Sequence, residues 1–126
     1  MNTRIGIIGL GYVGLPLAVE FGKYFPTVGF DVNKERVGQI MEGNDSTLEI
    51  SKKELFSVQF NQKSHFLSVT NKSEDLKNTN FIIVTVPTPI NNNNQPDLSF
   101  LKSASEIVGS VVKKNDVIVY ESTVYP

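Results

Sequence analysis

The chain has 126 residues, 40% of them hydrophobic and 20% charged, with a formal net charge of −1. This fits one soluble globular domain and predicts no nucleic-acid or anionic-membrane partner. The absence of cysteine excludes disulfides and thiolate metal sites. No apolar run has the length of a membrane span or of a signal-peptide core, so we expect a cytoplasmic protein.

The first elements predicted are a strand, a tight turn, a helix and a second strand. The apolar run of Ile5, Ile7 and Ile8 predicts the first strand, and the helix should run from about Tyr12 to Tyr24. Its apolar face would contain five residues (Val13, Leu17, Ala18, Val19, Phe21). The second strand, Val28–Asp31, follows the proline that ends the helix.

The turn contains three glycines, Gly9, Gly11 and Gly14, in G-x-G-x-x-G spacing. The first allows a sharp turn, the second lets a pyrophosphate approach the backbone, and the third lets the helix lie close to the strand. Asp31 ends the second strand, 22 residues after Gly9. A carboxylate there favours NAD over NADP, because it accepts ribose hydroxyls and repels a 2′-phosphate. The alternative is a turn that only packs the helix on the sheet, with Asp31 solvated.

A second helix is predicted from Lys34 to Glu42, with Asn33 or Asp31 as its cap. Arg36, in the first turn of this helix, either contacts the adenine or its ribose or is a solvated surface arginine. Residues 44–64 contain a short predicted helix, from Ser51 to Phe56, and have no assigned role. The residues of the second helix expected to face inward are Val37, Ile40 and Met41.

The second half of the chain continues the alternation of strands and helices. FIIVTV reads as a strand covered on both faces, and the prolines after it predict a rigid loop. The predicted elements are a strand at Phe66–Val69, a helical turn at Ser73–Leu76, a strand at Phe81–Val86, a helix at Leu98–Val112 and a strand at Val117–Tyr120.

This alternation predicts an α/β, Rossmann-like doubly wound parallel sheet with strand order 3-2-1-4-5. Ligands bind such sheets beyond the carboxyl ends of the strands, where the order reverses. Three loops should meet there: Leu10–Gly14, Val86–Thr88 and Ser122–Val124. Thr88 and Thr123 would then reach the nicotinamide half of a dinucleotide. Each threonine hydroxyl could instead only cap a turn.

Several ordered motifs resemble the nucleotide-sugar dehydrogenases, the family of UDP-glucose, UDP-mannose and GDP-mannose dehydrogenases. The motifs are GLGYVGLPLA, the spacing of Asp31 and Arg36, VPTP, PDLS and ESTVYP, which together cover essentially the entire chain. STLEIS at Ser46–Ser51, the run at Ala104–Gly109 and YESTVYP resemble most closely the bacterial branch that oxidises UDP-N-acetylhexosamines for surface polysaccharide.

The resemblance implies oxidation of the sugar C6 alcohol to a carboxylate by two hydride transfers to NAD, through a cysteine-bound intermediate. It places the pyrophosphate at the glycine turn, the adenosine end at Asp31 and Arg36, and the nicotinamide near the last loop, where Thr123 helps to position the catalytic water. The cofactor-binding residues so implied are Gly9, Leu10, Gly11, Tyr12, Val13, Gly14, Asp31, Arg36, Val86, Pro87, Thr88, Ser122, Thr123 and Val124.

The family's catalytic cysteine, lysine, asparagine and second aspartate, its nucleotide-sugar domain and its dimerisation helix would all follow Pro126. We therefore expect residues 1–126 to be an N-terminal NAD-binding domain that lacks the last strand of its sheet and is inactive alone. The full-length enzyme is expected to bind a nucleotide sugar and to form a homodimer. A regulatory dinucleotide-sensing module is the alternative, but it would not explain VPTP or ESTVYP.

Overall fold

A computed structural model describes residues 2–60 and 66–121, without the side chain of Phe60. Five strands alternate with four helices and one 3₁₀ turn, Ser73–Leu76, in these residues. The strands are β1 (Ile5–Ile8), β2 (Thr27–Phe30), β3 (Leu67–Thr70), β4 (Phe81–Val84) and β5 (Val117–Tyr120). The helices are α1 (Gly14–Gly22), α2 (Lys34–Met41), α3 (Lys52–Phe60) and α4 (Ser99–Val111).

The strands form one parallel sheet in the order β3-β2-β1-β4-β5, which confirms the predicted Rossmann-like topology. Strand β1 lies at the centre, and Ile8 at its carboxyl end is in register with Phe30 of β2 and Val84 of β4. All four residues of β1 are buried, as expected for a strand covered on both faces.

Two apolar clusters pack on opposite faces of the sheet, because successive side chains of a strand alternate between its faces. Ile7 belongs to the cluster that contains residues of α1, α2 and α3, whereas Ile8 belongs to the cluster with α4. The helices contribute Leu15, Ala18, Val19, Ile40, Leu55 and Val58 to the first cluster, and Ala104, Val108 and Val111 to the second.

Two predicted core positions are wrong. Val13 is 52% exposed, because the turn continues through it and α1 begins only at Gly14. Met41, the last residue of α2, is 50% exposed. The predicted cap of α2 is confirmed at Asn33, which accepts the amide of Arg36, and Ser51, just before α3, accepts the amide of Glu54 in the same way.

Other boundaries differ by a few residues. Helix α3 extends to Phe60, beyond the predicted Phe56, and buries Leu55 and Val58. Strand β4 ends at Val84, two residues before the predicted Val86. Among the described residues, no helix combines the length and the apolar character needed to cross a membrane.

The space around two glycines, one packed against the turn and one exposed on α4, predicts opposite effects of substituting them by alanine. A Cβ at Gly14 would lie 1.6 Å from the carbonyl oxygen of Gly9, so Gly14→Ala should lower the free energy of unfolding by at least about 2 kcal/mol. Gly109 is an exposed position of α4 with no atom within 4 Å of its Cβ position. Gly109→Ala should raise stability by about 0.5–1 kcal/mol. Urea unfolding measures both, and a Gly14→Ala variant as stable as the unmodified chain would contradict the packing described here.

Candidate functional site

A cleft of about 710 Å³ opens at the carboxyl edge of the sheet, where the strand order reverses. The ends of β1, β2 and β4 form its floor, and one face of α4 forms a wall. The lining residues that the sequence singles out are Gly9, Leu10, Gly11, Asp31, Arg36, Val86 and Pro87. The structure thus brings the glycine turn, the acid that ends β2 and the loop after β4 to one site.

The glycine turn has the conformation that its sequence predicts. Gly9 has a φ of +101°, which favours glycine, and its N–H donates to the carbonyl of Phe30 at 2.8 Å. Thr85 Oγ1 donates to the Gly9 carbonyl at 2.7 Å. No atom lies within 4 Å of a Cβ at Gly11, so the backbone there is open to a ligand.

Leu10 is held on both sides of its backbone by charged side chains. Its N–H donates to Asp31 Oδ2 at 2.9 Å, and its carbonyl accepts from Arg36 Nε at 2.8 Å. Asp31 Oδ1 also accepts the N–H of Asn33 at 2.9 Å. The carboxylate of Asp31 is therefore a structural part of the turn, and the alternative of a merely solvated Asp31 is wrong.

Three amides of the turn remain available for a ligand. Within the described residues, no backbone acceptor takes the N–H of Gly11, Tyr12 or Val13. These groups precede the first turn of α1, where the helix dipole favours negative charge. The Leu10 amide is already taken by Asp31, so a diphosphate would bind to the three that follow it.

Arg36 is 8% exposed, so the alternative of a solvated surface arginine is wrong. Its Nη1 donates to Asp45 Oδ1 at 3.0 Å and to Ser46 Oγ at 3.2 Å. Its Nη2 is buried and has no partner within the described residues. Arg36 lines the cleft, which is compatible with its predicted contact with the adenosine end of a dinucleotide. That contact stays a prediction.

Asp45 organises the segment after α2, for which the sequence suggested no role. Its carboxylate accepts the N–H and Oγ1 of Thr47 and the N–H groups of Glu49 and Ile50, at 2.6 to 2.9 Å, besides bonding Arg36. Burial by itself raises the pKa of the Asp45 carboxyl, but the bonds from Thr47, Ile50 and Arg36 outweigh it and lower the pKa to about 2. The carboxylate is therefore charged at neutral pH.

The remaining predicted site residues do not line the cleft in the part of the chain that the structure describes. Tyr12 is 69% exposed, and neither it nor Val13 lines the cleft, whereas Gly14 lies behind the turn against Gly9. Thr88 is half-buried just beyond the cleft lining. Three more lie outside the described residues: Ser122, Thr123 and Val124.

Sequence reasoning missed one wall of the cleft. Ser99, Phe100 and Ser103 of α4 line it, although the sequence predicted only a helix there and no contact with a ligand. Thr85, the one polar residue in FIIVTV, could have been predicted to contact the turn. A buried threonine hydroxyl needs a hydrogen-bond acceptor, and here the acceptor is the Gly9 carbonyl. No cluster of potential metal ligands occurs among the described residues.

The lowered pKa of Asp45 predicts a specific loss of stability in acid. A depressed pKa stabilises the fold above the unfolded pKa of about 4, and that contribution disappears as the pH falls from about 4 to 2. It amounts to about 2 kcal/mol, so the pH dependence of unfolding between pH 5 and 2 should be smaller by this amount in Asp45→Asn. Glu35→Gln, at an exposed position, is the control and should keep the full dependence. Equal acid dependence in Asp45→Asn and the unmodified chain would contradict the assignment.

Comparisons with known proteins agree with this geometry. Residues 3–126 match the family model described as the UDP-glucose/GDP-mannose dehydrogenase family, NAD binding domain. The chain is 54% identical to a UDP-N-acetyl-D-glucosamine 6-dehydrogenase of Salmonella typhi and 51% identical to one of Pseudomonas aeruginosa, over 99% of its own length and 28% of theirs. A UDP-D-ManNAc dehydrogenase structure from Pyrococcus horikoshii matches with a TM-score of 0.89 and 35% identity, over 98% of this chain and 29% of that one.

The chain spans little more than a quarter of the length of the curated relatives it matches. The family match, in contrast, covers residues 3–126, which include all five strands of the sheet and the residues that line the cleft. The chain therefore belongs to the UDP-glucose/GDP-mannose dehydrogenase family and corresponds to its NAD-binding domain.

Proposed function

We propose that residues 1–126 are the N-terminal NAD-binding domain of a longer enzyme that oxidises the C6 alcohol of a UDP-N-acetylhexosamine to a carboxylate, for surface polysaccharide. The relatives that are 54% and 51% identical are named UDP-N-acetyl-D-glucosamine 6-dehydrogenases, which supports this substrate class. In this proposal the nucleotide sugar is bound by the rest of the enzyme, a cytoplasmic homodimer.

The observation that carries the proposal is the set of backbone N–H groups at the glycine turn that have no backbone acceptor, next to the carboxylate of Asp31. The N–H groups of Gly11, Tyr12 and Val13 would hold the diphosphate, since nothing blocks the approach at Gly11. Each oxygen of Asp31 accepts one amide and keeps a second lone pair for a ribose hydroxyl. Arg36 lines the same end of the cleft, and its buried Nη2 is a donor for which a nucleotide oxygen would be an acceptor.

Two molecules of NAD, bound one after the other, would each accept one of the two hydrides. The chain's own part is to orient the bound NAD, with Val86, Pro87 and Thr88 beside the cofactor and Ser122, Thr123 and Val124 near the nicotinamide. We assign Thr123 the positioning of the catalytic water. The family resemblance supports these roles, and the position of Val86 and Pro87 in the cleft lining agrees with them.

Calorimetric titration of the chain with NAD and NADP tests the cofactor site. The unmodified chain should prefer NAD, and Asp31→Asn should reduce the ratio of the two affinities roughly tenfold, because the charge that repels a 2′-phosphate is lost. Glu35→Gln makes the same charge change at an exposed position outside the cleft lining and should leave the ratio unchanged. Equal affinities for NAD and NADP in the unmodified chain would overturn the assignment of Asp31.

A second measurement tests the proposed activity. The full-length enzyme should form two NADH per UDP-N-acetylhexosamine consumed and oxidise UDP-glucose more slowly, whereas residues 1–126 alone should bind NAD and form none. The absorbance of NADH at saturating NAD reports both. Steady NADH formation by the 126-residue chain would contradict the prediction that its catalytic groups lie elsewhere.

A further inference from the structure

We propose that Asp45 is a positioning residue for the nucleotide: through Arg36 it fixes the Leu10 carbonyl, and thereby the orientation of the Gly11 amide that receives the diphosphate. The inference rests on the NAD site proposed above. It gives the segment after α2 a part in nucleotide binding, although Asp45 lies 23 residues beyond Gly22, the last residue of α1.

A continuous series of buried contacts connects Asp45 to the turn. Asp45 Oδ1 and Arg36 Nη1 are 3.0 Å apart, and Arg36 Nε is 2.8 Å from the Leu10 carbonyl oxygen. The side chains of Arg36 and Asp45 are 9% and 0% exposed. Water therefore has little access to replace either bond, and loss of one partner leaves the other charge buried.

Asp45 is the only charged acceptor that Arg36 has within the described residues. The other acceptors of its guanidinium are neutral, the Leu10 carbonyl and the Ser46 hydroxyl. Without the carboxylate, a buried cation would keep two neutral bonds and an unpartnered Nη2, an arrangement that favours movement of the guanidinium toward solvent. The bond to Leu10 would be lost with that movement.

The consequence at the turn follows from the planarity of the peptide bond. The Leu10 carbonyl and the Gly11 N–H belong to one planar, trans unit, so fixing the carbonyl fixes the direction of the N–H. Asp31 holds the preceding unit through the Leu10 N–H. The bond from Arg36 to the Leu10 carbonyl therefore restrains the peptide unit that carries the Gly11 N–H.

The guanidinium is suited to this connection because its donors have a fixed fork geometry. Nε contacts the turn while Nη1 contacts Asp45 and Ser46. A lysine has a single terminal nitrogen on a flexible stem and would not hold both sites in the same way. Arg36→Lys thus breaks the connection, yet it leaves Asp45 with its bonds to Thr47, Glu49 and Ile50.

The test compares Asp45→Asn, Arg36→Lys, the double variant and the control Thr47→Val. The control removes a hydroxyl that donates to Asp45 at 2.6 Å but keeps the pairing of Asp45 with Arg36. Calorimetry gives the NAD affinity well below the unfolding temperatures, and thermal unfolding gives stability. We expect a tenfold or greater loss of NAD affinity in each single variant, no further loss in the double variant, and a change below twofold in Thr47→Val.

The amide resonance of Gly11 in the nucleotide-free chain provides a readout that lost stability would not move. It should shift in Asp45→Asn and Arg36→Lys and stay in place in Thr47→Val. NAD affinity within twofold of the unmodified chain in a folded Asp45→Asn variant would overturn the inference. If that variant does not fold, Arg36→Lys decides alone, and unimpaired NAD binding by it would overturn the inference equally. Failure of the unmodified chain to bind NAD would instead refute the proposed function together with it.

Discussion

The site depends on how the backbone of Leu10 is held. Asp31 accepts its N–H and Arg36 donates to its carbonyl, so two oppositely charged side chains fix the peptide units on either side of one residue. The Leu10 side chain is fully buried in the core, and this packing also holds the residue in place. A turn rich in glycine would otherwise have a large choice of conformations, and ordering it on ligand binding would cost free energy. Holding it beforehand lowers that cost.

The sheet topology brings these groups together from distant parts of the sequence. Strands β2 and β4 flank β1, and their carboxyl ends place Asp31 and Thr85 on opposite sides of the glycine turn. Thr85 holds the Gly9 carbonyl while Asp31 holds the next amide, so each neighbouring strand supplies one anchor. The cleft lies at the point of strand-order reversal because the crossovers on either side leave in opposite directions.

The attraction between Arg36 and Asp45 by itself adds little to stability, since desolvation of the two charges offsets most of it, whereas the bonds from Thr47 and Ile50 also stabilise the charged carboxylate. The value of the pair is geometric. The bonds that the buried Asp45 carboxylate accepts hold it in one orientation, and this in turn fixes the position of the Arg36 guanidinium bonded to it. The relation of Arg36 to the turn is thus set by a segment that carries no glycine motif and follows α2 in the chain.

Local sequence was sufficient for the elements that have local physical causes. The positive φ of Gly9, the close approach at Gly14 and the cap at Asn33 each follow from one residue's chemistry, and the alternation of strands with helices predicts the parallel order β3-β2-β1-β4-β5. The limits of α1 and β4 were less accurate, because helix propensity and apolar character continue along the chain past the residues at which these two elements begin or end.

What the sequence determined by itself is therefore the fold, the glycine turn and the acid 22 residues beyond it, since spacing along the chain encodes all three. Only the tertiary structure decided that Arg36 is buried, that Asp45 is its partner and that α4 supplies a wall of the cleft. Burial and pairing of charges depend on which distant segments pack together. A pattern of residue types along one segment does not contain that information.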